Sequence, residues 1–294
     1  MKIAVSGITG FVGTHLKAFL EGMGNKVIGL SRGDFASDST EALEEKLKGC
    51  NAVINLAGSP ISGRWTHRKK DAILNSRIRT TRLLVTAVNR MAYPPDLFIS
   101  ASAIGIYPQE GCHMEDSEMV AEGFLAEVCM RWEAEAKKIN PDIRLAILRF
   151  GLILGADGGI FPRIIKPTRF GVSMRFGNGM QPFSWIHIDD LLEIIALILY
   201  DPKLSGIFNC VAPDTLTWED LMSEIDMHYE TFGRLHIPEW LLKLFFLEGY
   251  TVLTHGQQVL PGRLMKEKFP YRYPELKNAV ADLALKYDKK KNRQ

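Results

Sequence analysis

The chain opens on an apolar, strand-like run, Ile3-Ala4-Val5, that passes directly into Gly7-x-x-Gly10-x-x-Gly13 and then into a helical pattern. That order limits the available folds more than the glycines do alone. Gly7 permits a tight turn out of the strand, Gly10 puts no side chain between the backbone and a bound group, and Gly13 lets the new helix pack closely. The helix then points free N–H groups and its positive dipole end at the bound group, which suits a diphosphate. Thr9, Phe11 and Val12 complete the turn and the first helical residues, so Gly7 and Thr9 through Gly13 are the expected contacts.

The strand-then-helix texture repeats. Strands are read at Lys2–Ser6, Lys26–Leu30, Ala52–Leu56, Leu97–Ala101, Ile143–Phe150 and Ile207–Val211. Helices are read at Val12–Met23, Ser39–Lys48, Lys69–Met91 and Gly123–Ile139. This alternation specifies an α/β fold, a Rossmann-like doubly wound parallel sheet with helices on both faces. After Gly155, glycine and proline crowd the chain as far as Pro182, which reads as a loop-rich substrate lid. Helical segments return at Glu219–Met227 and Glu239–Glu248, before a segment rich in Arg, Tyr and Pro. The expected organisation is a dinucleotide-binding domain over 1–160, rejoined by 185–213. The remainder, 161–184 and 214–294, forms a lid and a small C-terminal substrate lobe.

At 294 residues the chain can bury one large core or two coupled ones. A net charge of +2 gives no electrostatic case for nucleic acid, and the basic run Lys289, Lys290, Lys291 and Arg293 reads as a solvated end. The most apolar stretch, Leu191–Tyr200, contains Glu193 and is too short to span a bilayer, so a buried helix is expected and no membrane partner. The first residues already form a strand, so no leader is expected. Cys50, Cys112, Cys129 and Cys210 lack paired metal-ligand spacing and suit reduced thiols in the cytoplasm.

The second strand ends Gly29-Leu30-Ser31-Arg32. An NAD site usually offers an acidic residue there to the ribose 2′-hydroxyl. Ser31 and Arg32 instead suit a 2′-phosphate, which a guanidinium pairs and a carboxylate repels. NADP(H) is therefore the expected cofactor, with Asp34 as the rival, NAD-favouring residue.

These features resemble the extended short-chain dehydrogenase/reductase superfamily. The matching motifs are the glycine turn, Asn55-Leu56-Ala57-Gly58, Ser100-Ala101-Ser102 with Ile106-Tyr107, Arg149-Phe150-Gly151 and Trp185-Ile186-His187-Ile188-Asp189-Asp190. The chain is more similar still to an atypical, sugar-nucleotide-epimerase-like subgroup with a distinctive C-terminal segment. Its motifs here are Arg64-Trp65-Thr66, Asn75-Ser76-Arg77, Trp132-Glu133, Gly256–Pro261 and Phe269–Pro274. The resemblance implies a Rossmann-like domain with a C-terminal substrate domain, in which Ser, Tyr and Lys carry out hydride chemistry.

Carried over by position, the serine is Ser102. Aligned on Glu133 and Glu135, the Tyr-x-x-x-Lys positions fall on Val128 and Trp132; aligned on the aromatic, they fall on Phe124 and Val128. Neither register supplies a Tyr or a Lys. Tyr107 and Glu127 are the nearest replacements, with packing and a solvated helix face as their plainer readings. Leu56, Ala57, Gly58 and Ser100 are expected along the cofactor. Arg77 is expected to hold an anionic substrate or the cofactor, and Arg149 must find a partner or reach the crevice. Arg163, Arg169, Arg175, Arg263 and Arg272 are further candidate clamps. His187, Asp189 and Asp190 mark a strand-to-helix junction rather than a metal site, with Asp189 or Asp190 as the cap.

The expected activity is NADP-dependent oxidoreduction of a carbonyl or nucleotide-linked sugar, since NADP is kept largely reduced in most cells. Nucleotide-sugar epimerisation is the second reading. The third is a non-catalytic NADP(H)-binding redox sensor, with Trp240, Phe245, Phe246 and Tyr250 either facing a partner or packing their lobe. A monomer or homodimer acting on a small molecule is expected.

Overall fold

The structure is a computed structural model that describes residues 1–229 and 231–291; Arg293 of the basic run lies outside them. The first half alternates β1 (Lys2–Ser6), α1 (Phe11–Gly22), β2 (Lys26–Leu30), α2 (Glu41–Leu47), β3 (Ala52–Asn55), α3 (His67–Arg90) and β4 (Leu97–Ala103). Next come β5 (Cys112–His113), α4 (Phe124–Ala136), β6 (Arg144–Phe150), β7 (Leu152–Gly155), β8 (Gly158–Gly159), α5 (Phe161–Thr168), β9 (Val172–Phe176) and β10 (Trp185–His187). The chain closes with α6 (Ile188–Tyr200), β11 (Gly206–Cys210), α7 (Trp218–Asp226), β12 (Gly233–Ile237), α8 (Glu239–Phe246), α9 (Thr251–Thr254), β13 (Gln258–Val259), α10 (Gly262–Lys266) and α11 (Leu276–Lys291).

The central sheet is six-stranded, in the order β11-β6-β4-β3-β1-β2. Its pairings are all parallel. Alternate residues of each strand feed opposite faces, as a parallel sheet covered on both sides requires. Ile3, Val5, Ile54, Ile99 and Leu148 pack with Leu16 and Leu20 of α1 and Ile195 of α6. Ala4, Val53, Phe98 and Ile147 pack on the other face with Leu43, Leu84 and Val88 of α2 and α3. Strand order reverses between β1 and β3, and a crevice opens at such a switch point above the carboxyl ends of the strands.

The stretch expected to be a loop-rich lid is partly regular. Pro162 falls in the first turn of α5, where a missing N–H leaves no bond unmade, and Pro167 falls near its end. Strand β9 finds a parallel partner in β12, remote in sequence. Helix α11, within the segment read only as Arg-, Tyr- and Pro-rich with its tail, buries Leu276, Ala279, Val280, Leu283 and Tyr287 at helical spacing. They join Phe161, Trp185 and Trp218 in one apolar cluster. Of the four C-terminal aromatics, Phe246 and Tyr250 pack against that cluster, whereas Trp240 and Phe245 are exposed.

The cap of α6 is His187, not an aspartate. Its Nδ1 accepts the Asp189 N–H at 3.1 Å. Asp190 accepts the N–H groups of Arg272 and Tyr273 at 2.7 and 3.0 Å and so latches the C-terminal segment. Asp189 and Asp282 both face His187, and the Lys286 ammonium bridges them at 3.1 and 2.8 Å, occupying the position a cation would take. Burial outweighs both carboxylates and lowers the His187 pKa to about 4. The folded protein thus keeps His187 neutral in a range where the unfolded chain, titrating near 6.5, takes up a proton. Stability should be constant above that value, fall by up to roughly 3 kcal/mol as pH drops from 6.5 to 4, and level off below. Urea unfolding across that range should show the fall in the wild type and lose this component in His187→Asn, which retains a capping side chain.

Candidate dinucleotide site

The glycine turn is closed by contacts that no side chain would survive. Gly7 has φ +71°, and a Cβ there would lie 2.8 Å from the Leu56 carbonyl carbon. A Cβ on Gly13 would lie 2.2 Å from the Gly7 carbonyl oxygen. The loop after β3 and the first turn of α1 therefore both press onto the turn after β1. Gly10 is the N-cap of α1 and supplies no side-chain cap, and the first turn carries no acidic residue. The N–H groups of Phe11, Val12 and Gly13 have no intrahelical partner by construction and form the place for an anion. The Phe11 ring itself turns away: it packs under the β7–β8 hairpin, where a Cβ on Gly158 would come within 2.1 Å of it. Thr9 is exposed on the turn, and Val12 packs into the core.

At the end of β2, Ser31 caps a short 3-10 turn over Arg32–Phe35. Asp34 accepts from the Ser31 N–H at 2.7 Å and the Ser31 Oγ at 3.0 Å, and from Lys46 at 2.5 Å. Burial raises its pKa, but Lys46 and Ser31 outweigh burial and hold the carboxyl below its usual range. The rival acidic residue is thus turned into its own loop. Arg32 is exposed and has no carboxylate partner among the described residues.

Loop 56–59 is held from below. Buried Asn55 accepts from Ser6 Oγ at 2.6 Å and donates to Thr81 Oγ1 at 2.7 Å. Ser76 accepts the Ser59 N–H at 2.9 Å, and Arg77 Nη1 donates to the Ser59 carbonyl at 3.0 Å. Ser76 and Arg77 therefore position the backbone of Leu56, Ala57 and Gly58 along the crevice.

Deeper in, the structure revises several expected roles. Ser102 Oγ donates to Glu133 Oε1 at 2.8 Å. Arg149 grips the same carboxylate through Nε at 2.8 Å and Nη2 at 2.9 Å, and its Nη1 donates to the Tyr107 hydroxyl at 2.6 Å. The Tyr107 hydroxyl donates in turn to Asn209 Oδ1 at 2.9 Å. Arg149 is thus not a cofactor ligand, since every arm is taken inside the protein and the pair with Glu133 raises its pKa against burial. Tyr107 is 1% exposed, stacks on His113, and burial raises its pKa. It is a packed aromatic rather than a proton donor. Ser100 is buried, with its hydroxyl on the Ala101 carbonyl. Ser102 cannot direct its proton at a carbonyl while Glu133 holds it; it presents lone pairs instead. Glu127 is exposed and paired with Arg131 at 3.0 Å.

The face of α4 that meets the end of β4 is neither expected register. Glu133 meets Ser102, Cys129 faces the Ala103 N–H, and Leu125 lies against Gly105. Leu125 and Cys129 hold the i and i+4 places of that stripe. Burial, then Glu133, raises the Cys129 pKa to about 11. Glu133 stands in the motif Trp132-Glu133, but nothing local marks it as the partner of Arg149; a lone arginine in an apolar strand is the signal that a buried acid must exist.

Of the five other candidate clamps, three are occupied locally. Arg169 pairs with Asp288, Arg175 with Glu219, and Arg263 Nη1 donates to the Ser205 and Ile207 carbonyls. Arg272 lies over the Tyr273 ring, and Arg163 is exposed. A wide groove lined by Glu115, Arg144, Ser205 and Arg263 lies at the amino ends of β6 and β11, opposite the crevice. Among the described residues, no helix is long and apolar enough to cross a membrane.

A doubly wound sheet, a glycine-capped helix N-terminus at its switch point and a flanking loop pinned by asparagine define a dinucleotide-binding class. Residues 3–210 match the NAD dependent epimerase/dehydratase family, and the chain belongs to it. Residues 237–283 match a domain of unknown function (DUF1731). Within this family the chain is 32% identical to epimerase family protein SDR39U1 of Mus musculus, over 96% of this chain and 99% of that one. It is 33% identical to epimerase family protein YfhF of Bacillus subtilis, over 96% and 98%. The crystal structure of human epimerase family protein SDR39U1 (isoform 2) with NADPH superposes with a TM-score of 0.87 at 29% identity, covering 97% of this chain and 99% of that one. The nucleoside-diphosphate sugar epimerase from Corynebacterium glutamicum gives 0.77 at 27% identity, with 96% and 57% covered.

Removing the charge of Glu133 leaves a buried guanidinium unpaired. Glu133→Gln should lose roughly 3–5 kcal/mol in urea unfolding, and the double change Glu133→Gln with Arg149→Met should recover much of that loss.

Proposed function

We propose that this protein binds NADP(H) and acts as an oxidoreductase on a small carbonyl compound. The observation that carries the reading is the pairing at the end of β2: Arg32 is unpaired among the described residues, while Asp34 is turned away into its own cap. Arg32 and Ser31 would hold the 2′-phosphate. The N–H groups of Phe11, Val12 and Gly13 would hold the diphosphate, and Leu56, Ala57 and Gly58 would line the path of the chain beyond it. When bound, the coenzyme supplies or accepts a hydride. The crystallisation of human SDR39U1 with NADPH supports the choice of coenzyme. Nucleotide-sugar epimerisation ranks lower, because returning one hydride is better served by a tightly held NAD. The unpaired buried thiols Cys50, Cys129 and Cys210 support placement in the cytoplasm.

The second reading, a non-catalytic sensor of NADP redox state, is favoured by one feature. Leu125 and Cys129 stand on the α4 face that meets Ser102, and neither is fitted to donate a proton near neutral pH. In the catalytic reading the proton comes from water. Stopped-flow absorbance separates the two: NADPH oxidation by any member of a carbonyl panel supports catalysis. Silence across the panel, with lobe hydrogen exchange that differs between NADPH and NADP⁺, supports sensing.

Arg32→Ala should weaken NADPH at least tenfold by calorimetry, about 1.4 kcal/mol or more, and leave NADH binding unchanged. Equal weakening of both coenzymes would remove the 2′-phosphate role.

A further inference from the structure

Besides Arg32, a second cation beside the crevice lacks a carboxylate partner among the described residues. Lys70, Arg79 and Arg82 of the same helix pair with Glu248, Asp38 and Glu135. Arg149 is neutralised by Glu133. Arg77 has no carboxylate partner among the described residues, although it is half-buried. Its Nη1 is taken by the Ser59 and Ile73 carbonyls at 3.0 and 3.1 Å. One face of the guanidinium is covered by the Trp132 ring, 5.1 Å from Cζ to the centroid. What remains is the edge formed by Nε and Nη2, which makes no hydrogen bond among the described residues. The group lies directly against Gly58, where a Cβ would come within 3.0 Å of Cζ.

We propose that Arg77 anchors a carboxylate of the substrate, so that the compounds this protein acts on are carboxylate-bearing carbonyls. The placement rests on the NADP(H) reading. Arg32 lies at the end of β2, on one side of β1, and Gly58 follows β3 on the other. A dinucleotide with its adenosine phosphate on Arg32 and its diphosphate on α1 directs its reacting half toward Gly58, beside Arg77. The chemistry of the open edge selects the ligand. Two parallel N–H donors match the two oxygens of a planar carboxylate, a geometry that a lysine cannot offer. A buried cation without a partner is unfavourable, and burial lowers the Arg77 pKa, so an incoming anion restores a missing counter-charge.

The test uses the NADPH-loaded full chain and oxamate, a small carboxylate beside an amide carbonyl, with inorganic phosphate and neutral acetamide as comparison arms. NADPH is titrated first by calorimetry, then each probe. The expected result is oxamate binding to the wild type that weakens at least tenfold in Arg77→Gln, is partly kept in Arg77→Lys, and exceeds both phosphate and acetamide. Gly58→Ala, whose backbone tolerates a side chain, places a methyl against the guanidinium and should weaken oxamate in a folded protein. Equal oxamate binding in wild type and Arg77→Gln, no oxamate binding at all, or tighter phosphate binding would overturn the proposal. Absence of NADPH heat in folded wild type would instead overturn the coenzyme reading, and the oxamate contrast on unloaded protein then decides the anchor alone.

Discussion

A carboxylate and a guanidinium are too costly to leave alone in a protein interior, and the Glu133–Arg149 pair shows how much structure follows from bringing them together. Arg149 stands in β6, where its neighbours are apolar. Its charge is tolerable only because α4 delivers Glu133 to it. That pairing fixes the rotation of α4 against the sheet, and with it which residues of α4 face the crevice. The same carboxylate accepts a hydrogen bond from the Ser102 hydroxyl, and the same guanidinium donates one to the Tyr107 oxygen. Tyr107 then ties to Asn209 at the next strand, and Asn209 donates to the Leu260 carbonyl of the C-terminal segment.

The crevice is therefore asymmetric. At the β1–β2 side the backbone is bare, glycine-lined and ready for phosphate, with an exposed arginine at its edge. At the β4 side, groups with acid–base chemistry are consumed by one another. Ser102, Glu133, Arg149 and Tyr107 saturate a closed network, and Leu125 and Cys129 stand where a proton donor would be useful. The free polar chemistry on that side belongs to Arg77, supplied by α3 rather than α4. On the proposed reading, a hydride donor placed here would work beside a cation rather than beside a phenol.

Much of the fold was legible from residue pattern. Six strands of the central sheet and four of its helices fall within a few residues of their expected positions, because short apolar runs and helical spacing are local signals. The glycine turn was equally legible, since a strand feeding straight into glycines and a helix has few structural uses. The stretch 161–184 was not, because proline at the start of a helix and proline in a loop look alike until the helix is seen. Nor was the pairing of β9 with β12, which joins segments remote in sequence.

Among site residues, those that act through their backbone were readable: Gly10 and Gly13 press on Gly7 of the same turn, and Gly7 itself takes a positive φ, although its closest contact, Leu56, is remote in the chain. The roles of Tyr107, Arg149, Ser102 and Asp34 were not, because each is set by a partner that only folding brings close. For Asp34 that partner is Lys46; for the other three it is the network around Glu133. The amino-acid sequence by itself determined a doubly wound sheet with a phosphate-ready first turn, since short continuous apolar runs and glycine conformations are properties of short segments. Tertiary structure alone decided which charged side chains remain free at the crevice, because a charge is available to a ligand only when no distant residue has already neutralised it.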